Sequence, residues 1–242
     1  NEILHSIKCG YKPENIVFAG VGKTDKDINT ALMNDIGCFN IESFEEVGVI
    51  NDLAREQGKI ARLAVRVNPD VNAQTHEYIT TGLNENKFGI SCLQLMNVIN
   101  EIEDLSYVEL TGLHFHIGSQ ITNMDNFISL CNCVNIILEE LKDEGVYIEH
   151  LNMGGGLGID YDDPDANPIP DFDKYFRVFN DNLNIEPHQK VHFELGRSIA
   201  GQCGNLYTQV LYVKEGVERK FAIVDAGMTD LIRPALYKAN HK

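Results

Sequence analysis

Apolar positions along the chain fall into two alternating textures. Short runs rich in β-branched and aromatic residues, IVFAG (16–20), FNI (39–41), ARLAVRV (61–67), LTGLHFHIG (110–118), IEHLNMG (148–154) and KVHFEL (190–195), have the length and make-up of buried strands. Between them, apolar residues recur at helical spacing over 25–36, 43–57, 92–103, 123–144 and 171–184. The Asp- and Pro-rich stretch DYDDPDANPIP breaks regular structure and leads to Asp171, a residue suited to cap the last helix. Six such strand–helix steps with short links predict an α/β fold of parallel strands joined by right-handed crossovers. An open doubly wound sheet and a barrel both fit this periodicity.

Past Arg197 the pattern changes. NLYTQVLYVKEG and RKFAIVDAG flank a turn around Gly216 with no long helix between them, which predicts an antiparallel hairpin. Two strands alone are marginal in water. Residues 1–198 therefore read as an α/β domain and 199–242 as the beginning of a β-domain.

Composition narrows the partners. The 242 residues are 43% hydrophobic and 23% charged, enough to bury a core, and carry a formal net charge of −16. Such a surface repels nucleic acid and anionic lipid, while a small anion can still be held where arginines and backbone N–H groups gather. No apolar run approaches the roughly 20 residues that span a bilayer, and the opening NEILHSIKCGYKPEN lacks a secretory pattern, so a cytoplasmic protein is expected. The six cysteines (9, 38, 92, 131, 133, 203) form no CxxC pair and are expected to be reduced. With no HExxH and no third ligand near His114 and His116, no metal site is expected.

Two nucleotide signatures come close and fail. GVGKT (20–24) would need a glycine at 17, where Val17 stands, and GGGLGID would need one at 159, where Ile159 stands. The triplet Gly154, Gly155 and Gly156 follows a strand directly, so it reads either as an anion-binding nest or as a tight turn. His114 and His116 share one face of their strand and are followed by Gly118 and Ser119, a free N–H and a hydroxyl at a strand end. FELGR places Glu194 and Arg197 three apart, close enough to pair. Arg233 and Tyr237 lie four apart in DAGMTDLIRPALY, a segment too polar to be pure core.

In order along the chain, RVNPDV, THEYITTGLNENKFGI, GLHFHIGSQI, LNMGGGLGIDY, FELGRSIAG, VLYVKEG and IVDAGMTDLIRPALY resemble the alanine-racemase-like, fold type III pyridoxal-phosphate decarboxylases over essentially the whole chain. The resemblance implies an incomplete (β/α)8 TIM-type barrel of about six βα units followed by the start of a C-terminal β-domain. It implies pyridoxal 5'-phosphate held by His116 stacked on the ring, by Ser119, Gly154, Gly155, Gly156, Gly196 and Arg197 at the phosphate, and by Glu194 at the pyridine nitrogen. Arg197, Arg233 and Tyr237 would hold substrate carboxylates. Arg66 and Lys87 read equally as supports of the site and as ion pairs beneath it. Leu195 departs from the family, which usually has proline there. The RPALY segment points to the branch acting on meso-2,6-diaminopimelate, giving L-lysine and CO2.

The family's Schiff-base lysine belongs to a first barrel strand, and the first strand read here matches the family's third. The expectation is a piece lacking that lysine and later catalytic residues, inactive by itself, from a protein that is a homodimer at full length. Lys238 in YKANHK resembles the lysine motif but follows RPALY, and is expected at the surface. A decarboxylase of ornithine, lysine or arginine, or a silent regulatory homologue, are the alternatives.

Overall fold

The structure, a computed structural model, describes residues 1–69, 88–239 and 241. Most of THEYITTGLNENKFGI, with Lys87, lies outside the described residues. Helix α1 (Glu2–Lys8) precedes β1 (Val17–Phe18), α2 (Asp25–Met33), β2 (Cys38–Ile41), α3 (Phe44–Gln57) and β3 (Ala61–Asn68). Then follow β4 (Ile90–Ser91), α4 (Leu95–Asp104), β5 (Val108–Phe115), α5 (Asp125–Asp143), β6 (His150–Asn152), α6 (Phe172–Asn182) and β7 (Lys190–His192). The chain continues through α7 (Arg197–Ala200), the hairpin β8 (Val210–Glu215) and β9 (Lys220–Val224), and α8 (Arg233–Tyr237).

Strand order separates the two sheet architectures. The strands run parallel in the order β1-β2-β3-β5-β6-β7, with β4 added beside the end of β3. Each long-separated strand lies beside its chain predecessor, with no reversal of direction. A doubly wound sheet reverses at its switch point; a barrel does not. The sheet is a six-strand arc of an incomplete (β/α)8 barrel, and β8 and β9 pair antiparallel as a separate sheet.

The helices sit where their caps put them. Thr24 and Asp27 form a capping box at the start of α2, Ser43 caps α3, and Asp171 caps α6 by accepting from the Lys174 N–H. Their apolar faces cover one side of the arc. Leu63, Val65 and Val67 of β3, with Leu113, Phe115 and Leu151, are buried with Ile50, Ile99, Leu130 and Phe127 in one cluster. Phe127, Tyr175, Phe179 and Phe193 pack edge-on or tilted at centroid separations of 4.9–6.0 Å, fastening α5 and α6 beside β7.

Alternation sends the intervening residues to the other face. Register aligns Arg66 of β3 with His114 of β5, His114 with Asn152 of β6, and Asn152 with His192 of β7. A row of polar side chains thus crosses the arc near the strand ends. The resemblance of GVGKT to a phosphate loop has a structural answer: Lys23, almost fully buried, donates to the Gly20 and Asn40 carbonyls and pairs with Glu46. It ties the ends of β1 and β2 together.

Candidate active site

The polar row ends in a cluster beyond the strands. Glu194, two residues past β7, accepts from Asn152 Nδ2 at 2.8 Å through one carboxylate oxygen. Its other oxygen lies 3.3 Å from His114 Nε2, close enough for charge attraction but poorly aligned for a hydrogen bond. Asn152 Oδ1 takes the Gly154 N–H at 2.9 Å, so one amide links the carboxylate to the glycine turn. The Gly155 N–H points to His116 Nδ1 at 3.4 Å. Glu194 and His116 therefore flank the same turn. Glu194 and Arg197, three apart, do not pair with each other.

Burial, the largest influence on Glu194, pushes its carboxyl up, but His114 and Asn152, followed by His116, outweigh it and bring it to about 2. Burial and then the charges of Arg66 and His114 push His116 down to about 4. At neutral pH the site presents an ionised carboxylate and a neutral imidazole.

The three glycines have a packing cause. A Cβ on Gly154, which sits at φ +69°, would come 2.1 Å from the Phe115 carbonyl oxygen. One on Gly155 would come 2.2 Å from that of Glu194, and one on Gly156 2.6 Å from that of Gly118. The turn is wedged between the backbones leaving β5 and β7, and the Glu194 N–H bonds the Gly154 carbonyl at 2.7 Å. Two of the three amides already serve Asn152 and His116, so the tight-turn reading accounts for the glycines as residues.

Beside this turn lies a second cluster. Arg197 opens α7 after Gly196 and donates to Ser119 Oγ through Nε at 3.2 Å and Nη2 at 3.0 Å, and to the Tyr161 hydroxyl through Nη1 at 2.7 Å. The Arg233 guanidinium lies 5.3 Å from the Tyr161 ring centroid and 5.9 Å from that of Tyr237. Ser119, Arg197, Arg233 and Tyr237 are thus brought together around Tyr161. Arg66 instead pairs with Glu42 at 2.8 and 3.1 Å, both side chains buried, and stacks 5.1 Å from the Phe88 centroid, which is the ion-pair reading of that residue. Lys238 is exposed with φ +51° just past α8, as expected of a surface lysine.

Sequence reasoning missed Asn152 and Tyr161. Asn152 closes a short strand and its facing partner is His114, a signal that needs the register. Tyr161 had no signal beyond its place four residues after an apolar turn.

At its strand ends the barrel arc carries an anchored carboxylate, an imidazole and a Ser–Arg pair, the arrangement the sequence resemblance implies for a pyridoxal-phosphate decarboxylase. Residues 1–201 match the family model described as "Pyridoxal-dependent decarboxylase, pyridoxal binding domain", and the chain belongs to that family. It is 54% identical over 241 residues to the diaminopimelate decarboxylase of Bacteroides thetaiotaomicron, covering 100% of the chain and 62% of that protein. Its identity to the diaminopimelate decarboxylase of Haemophilus influenzae is 41% over 238 residues, 98% of the chain and 57% of that protein. The crystal structure of diaminopimelate decarboxylase from Helicobacter pylori complexed with L-lysine superposes with a TM-score of 0.92 at 37% identity, over 100% of the chain and 60% of that structure. The chain spans somewhat more than half the length of these relatives.

Proposed function

We propose that the protein containing this chain is a pyridoxal-phosphate-dependent carboxy-lyase that converts meso-2,6-diaminopimelate to L-lysine and CO2. The observation that carries the substrate is the pair of guanidiniums, Arg197 and Arg233, gathered on one tyrosine beside Ser119. One comes from the strand-end turn and one from the segment after the hairpin.

The side chains fit the cofactor by their chemistry. A hydroxyl, a guanidinium and glycine backbone suit a phosphate dianion, an ionised carboxylate suits a protonated ring nitrogen, and a neutral flat imidazole suits an aromatic face. In this reading Ser119, Gly156, Gly196 and Arg197 would hold the phosphate, Gly154 and Gly155, whose N–H groups serve Asn152 and His116, would line the turn beside it, and His116 would lie against the ring. Glu194, held by the Asn152 amide and lying 3.3 Å from His114 Nε2, would face the pyridine nitrogen and favour its protonated form. Bound pyridoxal phosphate supplies an electron sink for the pair left on Cα when CO2 leaves. Arg197, Arg233 and Tyr237 orient the substrate carboxylates, and planar guanidiniums do this by paired hydrogen bonds.

Residues 1–198 read as the cofactor domain and 199–242 as the beginning of a β-domain. No helix among the described residues is long and apolar enough to cross a membrane. A cytoplasmic homodimer is the assembly proposed for the full-length protein, on the family resemblance.

The test is Arg233→Ala in the full-length protein. Losing a charged hydrogen-bond donor to a substrate carboxylate should raise KM for meso-diaminopimelate by about 10- to 100-fold. Steady-state kinetics with unchanged KM and kcat would remove the substrate assignment, and better turnover of ornithine or lysine than of meso-diaminopimelate by the unmodified protein would replace it.

A further inference from the structure

Gln120 adopts φ +61°, a left-handed backbone that crowds its Cβ against the following carbonyl. A glutamine keeps such a conformation only where its surroundings impose it, and residues held this way cluster at functional sites. Its side chain shows what imposes it. The Gln120 amide donates through Nε2 to the Ile159 carbonyl at 2.6 Å and accepts the Ile159 N–H through Oε1 at 3.2 Å. One side chain thus satisfies both backbone groups of a buried residue in the loop after β6, as a neighbouring strand would.

The main chain continues the pairing. The Ile121 N–H donates to the Gly156 carbonyl at 2.8 Å, and the Gly158 N–H to the Ile121 carbonyl at 2.9 Å. Gly158 makes room for the clamp: a Cβ there would lie 3.2 Å from Gln120 Cδ and 3.0 Å from the Thr122 methyl. Ser119 directly precedes Gln120, and Tyr161 stands two residues past Ile159. Their hydroxyls accept from Nε, Nη2 and Nη1 of Arg197. The Gln120–Ile159 clamp therefore closes a ring of contacts that runs through Ser119, Arg197 and Tyr161. A serine hydroxyl that accepts twice keeps its own hydrogen to donate, and beside a guanidinium this suits an anion.

We propose that Gln120 is a positioning residue for the cofactor phosphate. Its amide holds a strained turn against Ile159 and so sets Ser119 and Arg197 in place before the phosphate arrives, which removes the cost of ordering them on binding. The proposal rests on the reading above in which Ser119 and Arg197 hold the phosphate. Gln120 acts through those two residues and does not itself touch the cofactor.

The experiment is fluorescence titration of the full-length protein, stripped of cofactor, with pyridoxal 5'-phosphate and with pyridoxal, which lacks the phosphate. The unmodified protein should prefer the phosphate ester. Gln120→Leu removes the amide and keeps the backbone strain, whereas Gln120→Gly removes both, so the glycine variant retains its fold and reports on the clamp alone. Each should weaken pyridoxal phosphate binding by about tenfold, with pyridoxal changing by no more than about twofold. Gly158→Ala, which crowds the amide without altering Gln120, should weaken the phosphate ester by about threefold or more and spare pyridoxal. A parallel loss for both ligands, the mark of a general structural effect, overturns the proposal. Variants that keep the full preference of the unmodified protein overturn the role of Gln120 alone and leave the phosphate reading standing. An unmodified protein that takes pyridoxal as tightly as its phosphate ester brings down that reading and this proposal together.

Discussion

Replacing Glu194 with Gln in the full-length protein should lower kcat by about 10²- to 10³-fold, the loss typical of deleting one preorganised electrostatic contact. The substitution keeps the shape and the hydrogen bond from Asn152 but removes the charge that, in the proposed reading, would face the ring nitrogen. A neutral amide would not favour a protonated ring nitrogen, so the electron sink the cofactor would supply should weaken while substrate binding is little changed. Stopped-flow and steady-state kinetics should therefore show the loss in kcat, with KM moving far less. A Gln variant with full kcat would mean that Glu194 does not face the ring nitrogen. The pH profile offers a second check. Glu194 is depressed to about 2 and His116 to about 4, so neither should titrate in the working range, and activity should not fall on their account between about pH 5 and 8.

Stability follows from the same shifts, and both groups lose it as pH falls. A depressed carboxyl stabilises the fold above its unfolded value, and that contribution fades as pH falls from the ordinary 4.5 toward about 2. A depressed imidazole means the unfolded chain binds the proton more readily, so stability decreases as pH falls from the ordinary 6.5 toward about 4. Acid unfolding should begin with His116 and continue with Glu194. Replacing His116 with Gln should flatten the first part of that curve.

The layout of strands and helices was legible because burial imposes it: each apolar run had to be covered, and each amphipathic stretch had a face to cover it. Five helices occur close to the spans read from spacing, with ends trimmed where caps and loops take over. Barrel against open sheet was not legible, since the distinction lies in which strand hydrogen-bonds to which. The runs also overstated strand length. KVHFEL continues as far as Leu195 in the sequence, yet pairing stops at His192, because the chain turns to bring Glu194 against Asn152 and Gly154. β4, two residues long, gave no periodic signal at all. Within the site, His116, Ser119, Glu194, Arg197 and Arg233 were visible as polar residues at strand ends and in a distinctive closing motif. Tyr161 was not, because it lies in an acidic, proline-rich loop whose composition reads as a connector.

Removing the partner of Glu42 should have the largest effect on stability. Arg66 and Glu42 are 8% and 5% exposed and meet through two hydrogen bonds, with the Gly89 N–H as a third contact on the carboxylate. Among the described residues, Arg66→Ala leaves that carboxylate in the interior with one backbone donor, and breaking one side of a buried pair costs about 3–5 kcal/mol. Urea unfolding of the full-length protein should show this as a lower midpoint. The double replacement Arg66→Met with Glu42→Leu removes both charges and fills similar volume, so it should return most of the lost stability, since a buried pair is costly to break but gains little over apolar packing. The double variant should nevertheless differ from the parent at the site. Arg66 aligns with His114 in the sheet, and its charge helps hold His116 neutral. Arg66 lowers His116 more than Glu42 raises it, so with both charges gone the imidazole should move partway back toward its ordinary value, and nuclear magnetic resonance of the His116 ring would register a modest upward shift. A double variant as unstable as Arg66→Ala alone would place the loss in packing around Phe88 rather than in the stranded charge.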